Sequence, residues 1–446
     1  MPVDIPRRSA FNVLLRIAKD NAYSNLALDS ALSGVGFDQQ RFCAALVYGV
    51  SERQITLDWQ LSRQLNKPLK QLRPPVLTAL RMGTYQLYFM DGVPDSAAVN
   101  STVQLLKDNG CAYASGLANA VLRKCAAAGL QYPAEGDNAY LSIRYSVPEW
   151  LIALWGRSYG IENTRALLAE LFSNGETYIR VNTAKTTREE LIAALAAEGV
   201  NAVPSPALPN AVILPKGTAP QKTCAFANGL YHVQGLASQY CVAALDPKPG
   251  EHILDMCAAP GGKTFTIAQE LLTNGTITAL ELHPRRAELI RQGAARLKLE
   301  NITTHVADAS KVTPQELGTF DAVLCDVPCS GLGIIAKKPD IRHKEKSSLD
   351  NLPNIQYTLL RNAAVFVRPG GRLVYSTCTL NPAENEDLCS RFLAEFPTFA
   401  QCRGVLPQLS RYVPDSAFLS LFPHLHGCDG FFIAAFVKEQ ERQENG

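Results

Sequence analysis

The sequence predicts three domains in series: an all-α domain over residues 1–140, a small α+β unit over 141–239, and a doubly wound α/β domain over 240–446. Three observations carry this. A chain of 446 residues exceeds what one core normally organises. Apolar residues recur at helical spacing through the first third, and short apolar runs alternate with amphipathic stretches after Gly250.

Taken in order, Arg7 to about Lys124 reads as helices. Phe11, Leu14, Leu15 and Ala18 form an i, i+3, i+4, i+7 stripe, and Ser33-Gly-Val-Gly36 marks a break. A helical stretch near Pro148–Phe172 precedes a strand at Tyr178–Asn182. A helix over Arg188–Glu198 and a strand at Val212–Leu214 complete the α+β unit. The α/β domain places strands at Ile253–Leu254, Ile277–Glu281, Thr303–Ala307, Ala322–Cys325 and Leu373–Thr377, with a last one at Phe431–Phe436.

The composition is that of a folded globular chain: 47% of residues are hydrophobic and 19% charged, which excludes a largely disordered or collagen-like protein. No run is long enough to span a bilayer, and no signal-peptide core follows the N-terminal arginines, so a cytosolic protein without a membrane partner is expected. The twelve cysteines are scattered and none has zinc spacing, so reduced thiols and no metal are expected. A net charge of +2 does not announce nucleic acid, but two local clusters do raise it: Arg63, Lys67, Lys70, Arg73 and Arg81, and Lys337, Lys338, Arg342, Lys344 and Lys346. Such clusters are equally compatible with a solvated face.

Asp255-Met-Cys-Ala-Ala-Pro-Gly-Gly-Lys-Thr264 follows the first α/β strand and opens a helix, where glycines let the backbone approach a ligand. A P-loop would need glycine at Cys257, and the G-x-G-x-x-G of a dinucleotide fold is absent, which disfavours a nicotinamide oxidoreductase. S-adenosylmethionine fits better, since its cationic sulfonium and amino-acid moiety need carbonyls and carboxylates rather than a phosphate cradle. Glu281 ends the second strand where an acid can accept the ribose hydroxyls, and Asp308 ends the third, within reach of an adenine amine. Both acids could instead cap the helices that follow.

Two further strand ends carry cysteines, Asp326-Val-Pro-Cys-Ser-Gly331 and Tyr375-Ser-Thr-Cys-Thr379. Carbon-5 of a pyrimidine is too weak a nucleophile to take a methyl group directly. A thiolate added at C6 turns the ring into an enamine-like nucleophile, and a base must later remove the C5 proton so that the cysteine leaves. Asp326 is placed to hydrogen-bond N3 and the exocyclic amine of cytosine. The chemistry alone does not rank the two thiols.

Cys257 to Lys263, Asp326-Val-Pro-Cys329, Ser376-Thr-Cys378, Asn381-Pro-Ala-Glu-Asn-Glu386 and Asp429-Gly-Phe-Phe432 resemble, in order, the motifs of the Sun-type RNA 5-methylcytosine methyltransferases. The resemblance implies a Rossmann-like class I S-adenosylmethionine-dependent catalytic domain. It makes Cys378 the nucleophile and Cys329 the residue that assists product release, with Asp326 and Lys263 completing the catalytic set. The implied cofactor contacts are Cys257, Ala258, Ala259, Pro260, Gly261, Gly262, Lys263, Glu281, Asp308 and Asp326. Arg180-Val-Asn182 resembles the family's upstream RNA-contacting block, and Gly235 stands where the family carries an acidic residue.

In the first third, Arg7-Arg8, Leu46-Val-Tyr-Gly-Val50, Arg81-Met-Gly-Thr-Tyr85 and Asn119-Ala-Val-Leu-Arg123 resemble a NusB-like helical RNA-binding module. That pairing is similar to the bacterial small-subunit methyltransferase B branch of the family. It implies 16S ribosomal RNA as the partner, with a single-stranded loop cytosine, position 967 in the family, as target; a monomer is expected. The lysines following Cys329 would then hold phosphates at the active-site mouth. The alternatives are a non-catalytic RNA-binding or ribosome assembly factor, and a C5-methyltransferase of another RNA.

Overall fold

A computed structural model describes residues 4–20, 36–173, 175–271, 274–402, 406 and 418–440. Residues 33–35 of the expected break lie outside that set. The chain divides into two compact units, Met1–Leu171 with Ile335–Glu345, and Phe172–Ile334 with Lys346–Gly446.

The first unit is helical. Its described helices run over Ile5–Asp20, Phe37–Glu52, Gln54–Gln64, Pro74–Phe89, Asp95–Asp108, Ser115–Ala128, Asn138–Tyr145, Glu149–Tyr159 and Ile161–Glu170. In the first helix Phe11 and Leu14 are buried as the spacing requires, while Ala18 is exposed and Val13 joins the core with Leu46, Leu57, Leu80 and Leu122. Gly49 has a packing reason: a Cβ there would sit 2.0 Å from the Tyr85 ring. The stretch expected as one helix over Pro148–Phe172 is two, broken at Gly160, whose φ of +83° suits glycine.

One segment of the later sequence completes this unit. Arg342, from Ile335–Glu345, is fully buried there. Its Nη1 donates to the carbonyls of Tyr145 (2.9 Å), Ser146 (3.3 Å) and Glu52 (3.4 Å), and Nη2 lies 3.4 Å from Glu52 Oε1. Tyr145 and Glu52 are the last residues of their helices. The guanidinium therefore serves two sets of carbonyls that have no partner within their own helices, at the negative ends of two dipoles. His343 Nε2 adds a bond to Ser51 O at 2.8 Å. The expectation that Arg342 belongs to a phosphate-holding cluster is thus corrected: its side chain has no solvent face. Arg81 is corrected likewise, because its fork closes on both oxygens of Asp58 at 2.7 and 2.6 Å.

The second unit holds two sheets. The smaller is antiparallel, in the order β2-β3-β1-β4, with β1 at Thr177–Val181, β2 at Val203–Pro204, β3 at Ala211–Leu214 and β4 at Tyr231–Val233. Its helix Arg188–Ala197 begins with a reciprocal capping box between Thr187 and Glu190. The helix Leu236–Leu245 follows, so the expected boundary at 239/240 would cut through a continuous, largely buried helix.

The larger sheet comprises β5 (His252–Asp255), β6 (Thr276–Glu281), β7 (Ile302–Val306), β8 (Phe320–Asp326), β9 (Val367–Thr377), β10 (Phe399–Gln401), β11 (Leu419–Leu421) and β12 (Phe431–Lys438). Its order is β10-β12-β9-β8-β5-β6-β7, with β11 also pairing β12. The pairs β6–β7, β5–β6, β5–β8 and β8–β9 are parallel, and β12 runs antiparallel to β9. All six expected strands are present, each within a few residues except β9, which starts six residues earlier. The expected strand Thr303–Ala307 stops at Val306, so Asp308 lies beyond the strand rather than at its end.

Candidate active site

The strand order reverses between β5 and β8. In an open parallel sheet that reversal leaves a crevice at the carboxyl ends of the two strands. Asp255 ends β5 and Asp326 ends β8, so both carboxylates arrive there from the register alone. A cleft is lined by Asp255, the backbone run Cys257–Pro260, Gly262, Lys263 and Asp326, with residues 233–235 and Ser238 on its other wall.

The loop leaves β5 with Met256 N donating to Leu324 O and Ala258 N to Leu280 O, which ties it to both neighbouring strands. Gly261, at φ +109°, caps the helix Gly262–Glu270, and a Cβ there would meet the Phe265 ring at 2.3 Å. Asp255 is buried and accepts from Thr264 Oγ1 at 2.8 Å. Burial, with Asp326 nearby, pushes its carboxyl up to about 6 despite the Thr264 bond. Burial pushes the Cys257 thiol up as well, helped by the surrounding acids.

Lys263 Nζ lies 2.6 Å from Asp326 Oδ2. Burial works against its charge, but Asp326 and the other acidic groups around it outweigh that, and the ammonium is held above its usual range. Ser376 Oγ donates to Asp326 Oδ1 at 2.7 Å, and Cys241 Sγ stands 3.2 Å behind that hydroxyl. Asp326 is therefore fixed at both oxygens while each keeps a free lone-pair direction for a ligand.

The two cysteine loops meet: Cys329 Sγ is 3.2 Å from Cys378 Sγ, and both residues are half-buried. The hydrogen bond to Cys378 raises the Cys329 thiol well above its usual value, with burial and the charges of Cys378 and Glu384 adding to it. Two glycines allow this approach. Gly333 N donates to Cys378 O at 3.1 Å and Gly430 N to Gly333 O at 2.9 Å, and a Cβ on Gly333 would lie 2.0 Å from Gly430 O. This is the physical content of the Asp429-Gly430 block.

Three of the expected cofactor residues, Glu281, Gly261 and Asp308, are not among those lining this cleft. Glu281 is buried at the end of β6, where Oε1 accepts from His283 N at 2.9 Å and Oε2 faces Arg286 at 3.5 Å. It thus has the position expected of it and also supports the start of the next helix. Asp308 accepts from Ser310 N and Oγ and pairs with Lys311 at 3.0 Å, bonds that hold its carboxyl below the usual range, Ser310 first.

Arg180 and Asn182 are corrected as RNA contacts. Arg180 is buried and paired with Glu270, and Asn182 is fully buried, donating to Gly229 O at 2.8 Å and Leu297 O at 2.9 Å. Gln234 was not anticipated: it accepts from Thr266 Oγ1 at 2.8 Å and donates to Gly262 O at 3.1 Å, beside Gly235. Ser376 lies in the Ser376-Thr-Cys378 motif and Glu384 and Asn385 in the Asn381–Glu386 motif, where the sequence by itself signals no role for them.

Among the described residues no cluster of His, Cys, Asp and Glu could hold a metal ion, and no helix is long and apolar enough to cross a membrane.

Residues 242–437 match the family model of the 16S rRNA methyltransferase RsmB/F, residues 4–127 that of the NusB family, and residues 147–220 that of the RsmF/B-like ferredoxin-like domain. The last match begins among helices that pack with the first unit. The chain is 36% identical to the probable ribosomal RNA small subunit methyltransferase B of Bacillus subtilis, over 97% of this chain and 98% of that protein. It is 36% identical to the Synechocystis protein of the same description, over 97% and 99%. Among solved structures, PH0851 aligns with a TM-score of 0.82 and 27% identity, over 98% of this chain and 100% of that one. NSun6 from Pyrococcus horikoshii with SFG aligns with a TM-score of 0.59 and 24% identity, over 66% and 99%, and shares the fold.

Proposed function

Because this chain belongs to the 16S rRNA methyltransferase RsmB/F family, and is thereby an S-adenosylmethionine-dependent rRNA methyltransferase, we propose that it methylates C5 of a loop cytosine through a covalent adduct at Cys378. The observation that carries the finer reading is the pair of thiols 3.2 Å apart, next to an Asp326 oriented by Lys263 and Ser376.

The cleft suits the methyl donor: Asp255 and Asp326 offer carboxylates to a cation, and Cys257–Pro260 presents backbone to an adenosine. When bound, S-adenosylmethionine supplies an electrophilic methyl group. The remaining chemistry belongs to the chain. The two sulfurs stand 3.2 Å apart, close enough to share a proton, and in this reading Cys378, the nucleophile by family resemblance, is the thiolate that adds to C6. Asp326 accepts from the exocyclic amine, a contact uracil does not offer. Once the Cys378 sulfur is bonded to C6 it no longer carries charge. That sulfur is then no longer an acceptor for the Cys329 proton, so Cys329 gives its proton to solvent and its thiolate takes the C5 proton. The electron pair of that C–H bond forms the C5–C6 double bond and expels the Cys378 thiolate. Glu281 takes the ribose and Asp308 the adenine in this reading, together with the loop contacts at Ala258, Ala259, Pro260, Gly261 and Gly262.

Incubation with labelled S-adenosylmethionine and small-subunit RNA, followed by nucleoside mass spectrometry, should yield 5-methylcytidine. Cys378→Ala should abolish both methylation and covalent RNA capture. Cys329→Ala should give a gel-stable protein–RNA band. The reverse pattern exchanges the two roles, and unlabelled RNA in every assembly state favours a non-catalytic assembly factor.

A further inference from the structure

The Asn381-Pro-Ala-Glu-Asn385 segment contributes no side chain to the cleft, yet two of its residues are fully buried. Glu384 Oε1 accepts from Ser330 Oγ and from Asn381 Nδ2 at 2.8 Å. Its Oε2 accepts from Ser330 N at 2.9 Å and from Gln356 Nε2 at 2.8 Å, and the same Gln356 amide reaches Pro328 O at 3.0 Å. Ser330 has one hydroxyl proton, and it points to the carboxylate. Thr379, 2.6 Å away, must therefore donate to Ser330. Ser330 directly follows Cys329, and Thr379 directly follows Cys378. Asn385 brackets Cys378 from the other side, accepting from Thr377 Oγ1 at 2.7 Å and donating to Thr379 O at 3.0 Å.

We propose that Glu384 is the positioning residue for the two-thiol step: its carboxylate, through Ser330 and Thr379, holds the loops of Cys329 and Cys378 in register so that the sulfurs meet. The alternative of simple core filling is disfavoured by the donor set. A buried carboxylate is costly to place, and four donors, two of them from Ser330, converge on this one. All of these bonds lie within the second unit. The proposal rests on the two-cysteine reading above.

Glu384→Gln tests it with little change in volume. The new amide nitrogen would confront two of the four donors, so the loops must separate. In the full-length protein, kcat for methylation should fall about 100-fold, with KM for RNA and cofactor within about 2-fold, as expected for ångström-scale misplacement of reacting groups. Ser330→Ala should lose about 10-fold, and the double variant less than the product of the two.

A second readout needs no methylation. Iodoacetamide labelling at pH 8, resolved by mass spectrometry, should show Cys329 reacting at least 10-fold faster in Glu384→Gln, released from its bond to Cys378, while buried Cys325 and Cys389 remain unlabelled. Unchanged Cys329 labelling, or turnover within about 3-fold of wild type, overturns the clamp. General labelling of Cys325 and Cys389 in Glu384→Gln also overturns it in favour of a merely structural role, unless Ser330→Ala shows the selective Cys329 effect. Absence of 5-methylcytidine from the wild-type reaction, together with the selective Cys329 labelling in Glu384→Gln, would defeat the catalytic reading and leave the clamp standing.

Discussion

Replacing Arg342 with alanine should destabilise the helical unit by roughly 4 kcal/mol. The charged hydrogen bond to Tyr145 O, at 2.9 Å, contributes about 2 kcal/mol. The two helix ends contribute about 0.5 kcal/mol each, in line with other cations at C-termini. The longer contacts to Ser146 and Glu52 are discounted, but their carbonyls lose a partner and the side chain leaves a void, together costing about 1 kcal/mol more. The protein carries its own reporter, since Trp59, Trp150 and Trp155 are its three tryptophans and all fall within the helical unit. Urea denaturation of the full chain followed by tryptophan fluorescence should therefore read that unit alone. With a slope of about 2 kcal/mol per molar, the midpoint should fall by roughly 2 M. Arg342→Lys, a point charge without the fork, should recover less than half. A shift below about 0.5 M for the alanine variant would show that the buried guanidinium does not hold the two helix ends.

Asp255 gives a pH signature. Its carboxyl titrates near 6 in the folded protein against 3.8 ordinarily, so the folded state keeps the proton longer; this stability is present in full below about 4 and lost as pH rises through 6. Asp255→Asn should flatten that slope, about 3 kcal/mol at most, in urea midpoints compared at pH 4 and pH 7. Asn182→Ala removes donors to two buried carbonyls and should cost about 2 kcal/mol of second-unit stability by circular dichroism, with RNA affinity unchanged. A loss of affinity with normal stability would restore Asn182 to the RNA surface.

The α/β strands were legible because each is a short apolar run with turn residues beside it, and their carboxyl ends place Asp255, Asp326 and Cys378 without further information. What escaped was long-range partnership. Arg342 has the same sequence appearance as Lys337 and Lys338, and only the location of two helix ends far upstream distinguishes a buried plug from exposed charge. Arg180 likewise reads as a surface cation until Glu270 is seen opposite it. Glu384 carries no signal of its role, because an acid near a helix start usually serves that helix. Its four donors come from Ser330, Gln356 and Asn381, and Gln356 lies in none of the motif blocks. The β10 and β11 strands, three residues each, are too short for alternation to mark.

The Ile335–Glu345 segment also imposes an order on biosynthesis. Synthesis delivers Met1–Leu171 first, yet the carbonyls at the ends of helices Phe37–Glu52 and Asn138–Tyr145 wait for Arg342, by which point the loop bearing Cys329 has been made as well. A nascent chain halted before that residue holds an unfinished helical bundle, and an excised copy of Met1–Leu171 would keep the same defect permanently. The end of the NusB-family match at residue 127 is therefore not a folding boundary.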